Sequence, residues 1–465
     1  MTKHASFLML VCLLGVTCDV FAETLPNVVV VLADDHGVRH STPYGSKEIR
    51  TPNMRAMADE GMVFDRAYVA SPSCCPSRTA LLTGLMPENN GVVGNHESEL
   101  LKPGTKSLMI HLMDLGYAVV WTGKIAHGTT GAELVARGIK VIPGSGRGIL
   151  NRIEAIESYL NTLPESKPVA IFIGTTDTHT PWPQPEDVRI TPDKVELPPK
   201  TYDTPEARKE MGRYVESVEM VDRILGRVRE MITTRLGAEN TLLLYSSDHG
   251  QAWPFGKWGL YEDGIRTSLL AVWPGRIKPG VRTGAMVSWI DLLPTLIDIA
   301  GGEVPEGIDG RSFKPVLLGN TDTHRERIFA VHKGDKAMNV YPIRSVRTEK
   351  WKYILNLHPE FYYTTHMDLA RQGTAHCNAA WPSWTEASRT DPEAAAFLRA
   401  YHSRPGEELY DLETDPCEKI NLADKPEHKK QLEELRALVR DRMRQVNDDQ
   451  SLSGEPRYLK DFKLP

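Results

Sequence analysis

The segment Cys74-Cys75-Pro76-Ser77-Arg78-Thr79-Ala80-Leu81-Leu82-Thr83-Gly84 sets a thiol four residues ahead of a guanidinium. Four residues is about one helical turn, so Cys74 and Arg78 can share a face, a reactive sulfur position beside a fixed positive charge. On residues alone, the stretch also fits a buried cysteine in a helix-opening turn. Asp34 and Asp35 offer carboxylate oxygens to a hard cation such as calcium, although an Asp-Asp pair also serves turns and helix caps. Asp248 and His249 make a second such pair, with a nitrogen donor that departs from calcium's preference for oxygen. His179, in Asp177-Thr178-His179-Thr180-Pro181-Trp182, carries an imidazole that titrates near neutral pH and can pass a proton. Lys124 and His127, in Gly123-Lys124-Ile125-Ala126-His127-Gly128, and Lys257, in Gly256-Lys257-Trp258-Gly259, add groups that stabilise charge on an oxyanion. Each alone reads equally well as a solvated surface residue. Residue types and spacing alone show only that acids, bases and cations could converge.

These residues are far apart in the chain, so the elements that carry them must bring them together. Apolar runs bounded by turn residues recur at Asn27–Leu32, Tyr117–Trp121, Val169–Ile173, Thr241–Tyr245 and Ser268–Trp273, alternating with helical patterns. That alternation predicts an α/β sheet covered on both faces. Three of the runs end directly in polar clusters: Asp34-Asp35-His36, Asp177-Thr178-His179 and Ser247-Asp248-His249-Gly250. In open α/β sheets, ligands bind outside the carboxyl ends of strands, so convergence there is expected of an active site. The clearest helix runs from Pro205 to about Leu236, with Tyr214, Val218, Val221, Leu225 and Val228 on one core-facing stripe. Beyond about Thr323 the pattern changes to short strands at Arg327–Val331, Ile343–Arg347 and Trp351–Leu355, then a long polar stretch and a helix near His428–Val446, which predicts a smaller α+β domain.

Cys74-x-Pro76-Ser77-Arg78 followed by Leu81-Leu82-Thr83-Gly84 resembles the maturation signature of type I sulfatases, in which the first cysteine is oxidised to formylglycine. An aldehyde at that position is electrophilic, and its hydrate supplies an oxygen nucleophile that no encoded side chain has. The resemblance extends through Thr51-Pro52-Asn53-Met54, Ile265–Gly275, Ser288–Leu296 and Glu408-Leu409-Tyr410-Asp411-Leu412, nearly the whole mature chain. It implies the alkaline-phosphatase-like fold: a large central mixed β-sheet flanked by helices over residues 23–325, with the smaller C-terminal domain over 326–465. It also implies calcium, with magnesium as the alternative, held by Asp34, Asp35, modified Cys74, Asp248 and His249. The family accepts Asn or His at the last of these positions. Arg78, Lys124, His127, His179 and Lys257 match its sulfate-binding and proton-transferring residues. The implied function is hydrolysis of sulfate esters on sugar units of a sulfated polysaccharide or its oligosaccharides, after modification by a formylglycine-generating or equivalent maturation enzyme. Within the family, Tyr341-Pro342-Ile343-Arg344-Ser345-Val346 and Trp351–Leu357 look most like N-sulfoglucosamine sulfohydrolases. Lys257, where those enzymes carry arginine, and Lys333-Gly334-Asp335-Lys336-Ala337, in place of their acidic and histidine-rich stretch, depart from them, and the departure at Lys333–Lys336 favours O-sulfate over N-sulfate. Trp182 and Lys333–Lys336 are candidates to line the leaving-sugar site. A phosphomonoester or phosphonate hydrolase on the same scaffold, or a non-catalytic binder of sulfated glycans, are the other readings.

At 465 residues the chain exceeds what one growing core accommodates. With 55 basic against 61 acidic residues and no basic tract, nothing in it tracks a nucleic-acid backbone. Residues 1–22 read as a cleaved export signal: Lys3 and His4, an apolar run from Phe7 to Val16 too short to span a bilayer, then Val20-Phe21-Ala22. A lipoprotein attached at Cys18 is the alternative. The protein would then be periplasmic or secreted, with no membrane span. In that oxidising setting Cys377 and Cys417 could form a bridge.

Overall fold

The computed structural model describes residues 25–96, 100–126, 137–369 and 380–465. The expected signal segment and Cys377 lie outside these residues. Cys417 approaches Arg39, with Nη2 3.9 Å from Sγ.

Asn27–Ala33 (β1), Ala118–Gly123 (β2), Val169–Thr175 (β3) and Thr241–Ser247 (β4) form the centre of an eight-stranded mixed sheet. Edge to edge it runs Val281–Thr283, Met62–Phe64, Leu269–Val272, β4, β1, β3, β2 and Lys140–Ile142. β1 reads Asn-Val-Val-Val-Val-Leu-Ala and is buried throughout, as a central parallel strand covered on both faces must be. Most pairs are parallel, but Leu269–Val272 runs antiparallel to β4 and to Met62–Phe64.

Register is what builds the site. Ala33 of β1 pairs with Thr175 of β3 and with Ser247 of β4, so the three strands end at one level. Gly123 of β2 pairs with Gly174 of β3 beside them. The glycines are required here: a Cβ on Gly174 would lie 1.9 Å from the Lys124 carbonyl oxygen, and one on Gly123 2.0 Å from the Gly174 carbonyl oxygen.

The sheet faces are covered by helices, the longest being Pro205–Met231, on which Tyr214, Val218, Val221, Leu225 and Val228 are fully buried. The expected continuation to Leu236 is present but changes character, since Ile232–Leu236 is a π-turn. Thr233 and Thr234 hydroxyls donate there to the carbonyls of Arg229 and Glu230, four residues back, and compete with the regular ladder. On the same helix, the buried Asp222 accepts from the amides of Asn53 and Met54 and caps the helix Pro52–Glu60.

The C-terminal region adds an antiparallel sheet of Arg327–His332, Ile343–Thr348, Trp351–Asn356 and Glu407–Asp411, packed against the helix Lys429–Gln445. It meets the segment that follows β4, at Tyr261 and Glu262, through buried polar and charged groups. Lys352 Nζ lies 3.1 Å from Glu262 and 3.6 Å from Glu418, and Tyr261 donates to Glu408 at 2.9 Å.

Candidate active site

The level ends of β1, β3 and β4 place three polar turns side by side. Asp34 and Asp35 leave β1, Thr178 and His179 follow β3, and Asp248 and His249 follow β4. Asp35 adopts φ 68°, a left-handed conformation that aspartate tolerates better than most residues. It is held there by two bonds: its amide donates to Asp248 Oδ1 at 3.0 Å, and its carbonyl accepts from the Tyr214 hydroxyl at 3.1 Å. Facing these turns is the start of the helix Cys74–Thr83, in which all ten residues are buried.

Cys74 opens that helix, with Sγ 3.4 Å from Asp34 Oδ1 and 3.3 Å from His249 Nε2. Asp34, Asp35, Cys74 and His249 each present one ligand atom, and these four atoms lie within 4.8 Å of one another. Asp248 stands next to them, its Oδ1 3.6 Å from His249 Nε2. One turn along the helix, Arg78 is 1% exposed and donates from Nε to Asp248 Oδ2 at 2.9 Å, from Nη2 to Asp34 Oδ1 at 3.4 Å, and from Nη1 to the Lys124 carbonyl. Lys124 Nζ lies 2.6 Å from Asp34 Oδ2. Lys257 Nζ lies 2.7 and 2.9 Å from the two oxygens of Asp35. Three buried carboxyl groups thus face three cations. His179 borders the cluster, its Nδ1 2.7 Å from the Thr180 carbonyl oxygen. Of the catalytic and metal-ligand candidates, His127 lies outside the described residues.

The electrostatics follow from burial opposed by pairing. Burial pushes the Asp34 carboxyl up, but Lys124, Arg78 and His179 outweigh it and hold it well below the usual carboxylate range. Asp35 is likewise pushed up by burial and brought to about 2 by Lys257, His179 and His249. Asp248 is raised, because burial prevails over His249 and Arg78. Burial and then Asp34 drive the Cys74 thiol well above its ordinary value, so an unmodified Cys74 here is a thiol, not a thiolate. Burial lowers His179 against the pull of Asp35, which favours the neutral ring.

Several supporting residues escaped the sequence reading. Thr178 Oγ1 donates to the Asp34 carbonyl at 2.7 Å, and Ser77 Oγ donates to the Asp248 carbonyl at 2.6 Å. Both stand inside motifs already recognised, and that adjacency was the available signal. Arg147, which donates to the His179 carbonyl at 2.5 Å, carried no such signal. Trp182 does not line a sugar site: it is buried, donates from Nε1 to the Thr178 carbonyl at 3.0 Å and packs edge-on against Tyr214, so it braces the His179 turn from within the core.

Comparison with known proteins agrees with this geometry. Residues 26–138 and 151–302 match the Sulfatase family model, and residues 249–371 match the model described as N-sulphoglucosamine sulphohydrolase, C-terminal. An ulvan-active sulfatase of Formosa agariphila is 30% identical over 424 residues, covering 88% of this chain and 78% of its own length. Human N-sulphoglucosamine sulphohydrolase is 27% identical, with 88% of each chain covered. A solved structure described as a complex with its substrate D-glucosamine-2-N,6-O-disulfate superposes with a TM-score of 0.69 at 20% identity, covering 91% of this chain and 98% of the other, which shows the shared fold. With more than half its length inside the Sulfatase model and a 30% identical sulfatase aligned along most of both chains, this protein belongs to the sulfatase family and is a sulfuric ester hydrolase.

Proposed function

We propose that the protein is an exported sulfatase that removes sulfate from sugar units of a sulfated polysaccharide or its oligosaccharides, using formylglycine at position 74 and a bound divalent ion. The observation that carries this reading is the placement of Cys74 at a helix start within 3.4 Å of Asp34 and His249, with Arg78, Lys124 and Lys257 around them. The donor set fits a hard divalent ion, since Asp34, Asp35 and Asp248 supply anionic oxygens and His249 a single nitrogen. Bound there, calcium or magnesium would add positive charge beside the reacting sulfur. Oxidation of Cys74 would supply a hydrated carbonyl whose oxygen attacks sulfur and whose collapse releases sulfate.

The chain's own residues do the rest. Arg78, Lys124 and Lys257 offset charge on the non-bridging oxygens, and their positions are set before substrate arrives, as electrostatic stabilisation requires. His179 and Lys257 assist departure of the alcohol, with His179 as the donor of the one proton it takes up. A sulfate ester placed beside the neutral His179 ring adds negative charge and raises its affinity for that proton. His127 receives the proton lost as sulfate is expelled.

The sugar-sulfate assignment is supported by the ulvan-active and N-sulphoglucosamine relatives, and export by residues 1–22. O-sulfate is ranked first because the Lys333–Lys336 region departs from the acidic and histidine-rich stretch of sulfamidases. Hydrolysis of N-sulfate is the second reading, favoured by the C-terminal family match. Peptide mass analysis of active protein tests the chemistry, with an aldehyde expected at Cys74 and a thiol at Cys75. Sulfate release from defined O-sulfated and N-sulfated saccharides tests the substrate, and aryl sulfate against aryl phosphate separates a phosphatase. Active protein carrying only unmodified Cys74 would overturn the mechanism, and turnover of phosphate esters alone would overturn the function.

A further inference from the structure

The stretch Lys333-Gly334-Asp335-Lys336-Ala337 closes on itself in a tight loop: the Asp335 amide donates to the Asn339 carbonyl at 2.7 Å, and the Met338 amide returns to the Asp335 carbonyl at 3.0 Å. This turn buries Asp335 to 1% exposure and points its carboxylate at two imidazoles from distant parts of the chain. His96 donates from Nδ1 to Oδ1 at 2.6 Å, and His366 donates from Nε2 to Oδ2 at 3.0 Å. Asn95 adds a third bond to Oδ2 at 3.3 Å.

The cluster is attached directly to the reactive centre. Asn95 Oδ1 accepts the amide of Cys75, the residue after the proposed nucleophile, at 3.1 Å. His366 stacks on Trp258, with ring centroids 5.2 Å apart, and Lys257 Nζ lies 5.0 Å from the same Trp258 ring while it holds Asp35. Yet the rings are not sequestered. The His96 side chain is 54% exposed and that of His366 27%, so a wholly buried carboxylate is spent on presenting groups that reach solvent beside the site. With Nδ1 committed to Asp335, Nε2 of His96 is the ring atom that can meet a ligand.

We propose that His96, presented by the positioning residues Asp335 and His366, recognises a second oxyanion of the saccharide, a sulfate or carboxylate on the same or the adjoining sugar as the sulfate removed. The chemistry suits an oxyanion, because the Asp335 hydrogen bond raises His96 above its ordinary value and favours the imidazolium, against burial and the opposing charges of Lys336 and Lys124. The local cations are Lys336 at the loop tip and Lys124 in the site. This rests on the sulfated-saccharide reading of the function.

Binding separates the two claims. In a Cys74→Ala background, which removes turnover, calorimetry with a monosulfated glucosamine, a disulfated glucosamine and a monosulfated disaccharide containing a uronate compares one oxyanion with two. The doubly anionic sugars are expected to bind about tenfold tighter, roughly what one charge-assisted hydrogen bond supplies. Preference for the disulfated sugar or for the uronate identifies which oxyanion is read. His96→Ala, and Asp335→Asn with its shape kept, are expected to bring that preference within twofold of unity, and His96→Lys to restore part of it. Equal weakening of all three ligands by His96→Ala, or no preference in the Cys74→Ala protein, would overturn the proposal. Discrimination in binding without sulfate release by the unmutated enzyme would instead refute the proposed function and leave this site standing.

Discussion

Removing Arg78 probes the electrostatic core of the site most directly. Its guanidinium lies 2.9 Å from Asp248 Oδ2 and 3.4 Å from Asp34 Oδ1, in a region from which water is excluded. At an effective dielectric of about 20 each contact attracts by roughly 5 kcal/mol, most of it offset by the desolvation of the groups. Truncation of one partner of a buried ion pair leaves the other charge uncompensated and costs about 3–5 kcal/mol. Arg78→Ala is therefore expected to lose that much unfolding free energy in urea when chelator is present. Arg78→Lys keeps the charge but not the planar fork that reaches two carboxylates and the Lys124 carbonyl at once, so its loss should be about half as large. Added calcium should narrow the gap for Arg78→Ala, because the ion replaces missing positive charge next to Asp34. Turnover of an aryl sulfate should fall by about 10²–10³ in Arg78→Ala, the usual effect of deleting one donor aimed at developing charge. If Arg78→Ala stayed within 1 kcal/mol of the parent with and without calcium, the picture of a mutually neutralising charge cluster would be wrong.

Other outcomes are expected from the same geometry. Asp35→Asn should lower metal content by elemental analysis and reduce turnover at least a hundredfold with little change in circular dichroism, since the side chain sits at a strand end and a divalent ion loses a charged ligand. Glu418 is buried and raised to about 7, with Lys352 and Lys200 only partly offsetting the burial. Its folded value lies above its unfolded one, so the stability it contributes is complete below about pH 4.5 and is lost as pH rises towards 7. Glu418→Gln should therefore raise the melting temperature at pH 8 relative to the parent, by the equivalent of about 1–3 kcal/mol, and leave it nearly unchanged at pH 4.5. An equal shift at both pH values would refute that assignment. Gly174→Ala should cut kcat more than tenfold while the secondary structure persists, because the added methyl meets the Lys124 carbonyl oxygen that Arg78 engages. Parent-like kcat would show that the close approach of β2 and β3 does not position Lys124.

The central strands were legible because each is a run of buried apolar residues ended by a polar cluster, and the pairing of Ala33 with Thr175 and Ser247 turns that pattern into a site. The long helix was legible from its stripe, but not its π-turned end, since Thr233 and Thr234 compete with the ladder through hydroxyls that periodicity does not register. Strands of two or three residues, such as Met62–Phe64 and Val281–Thr283 at one edge of the large sheet, are too short to show alternation, and that edge was unread. Trp182 sat in a recognised motif, yet nothing in the motif says that its ring turns inward to Tyr214. His96, Asp335 and His366 come from three segments with no common spacing, and only folding makes them neighbours.

The pairing of lysines with the proposed ion ligands has a thermodynamic consequence. Lys124 occupies an oxygen of Asp34, and Lys257 occupies both oxygens of Asp35. An arriving divalent ion draws on the same carboxylates and repels both ammonium groups, which loosens them just where a sulfate would sit. The pocket changes from self-neutralised to carrying two surplus positive charges, so occupancy by the ion and by the oxyanion must reinforce each other. Linkage makes that reinforcement reciprocal: whatever factor the ion adds to sulfate affinity, sulfate adds to ion affinity. Inorganic sulfate, the reaction product, should accordingly slow loss of the ion to a chelator, and product inhibition should weaken as free calcium is withdrawn.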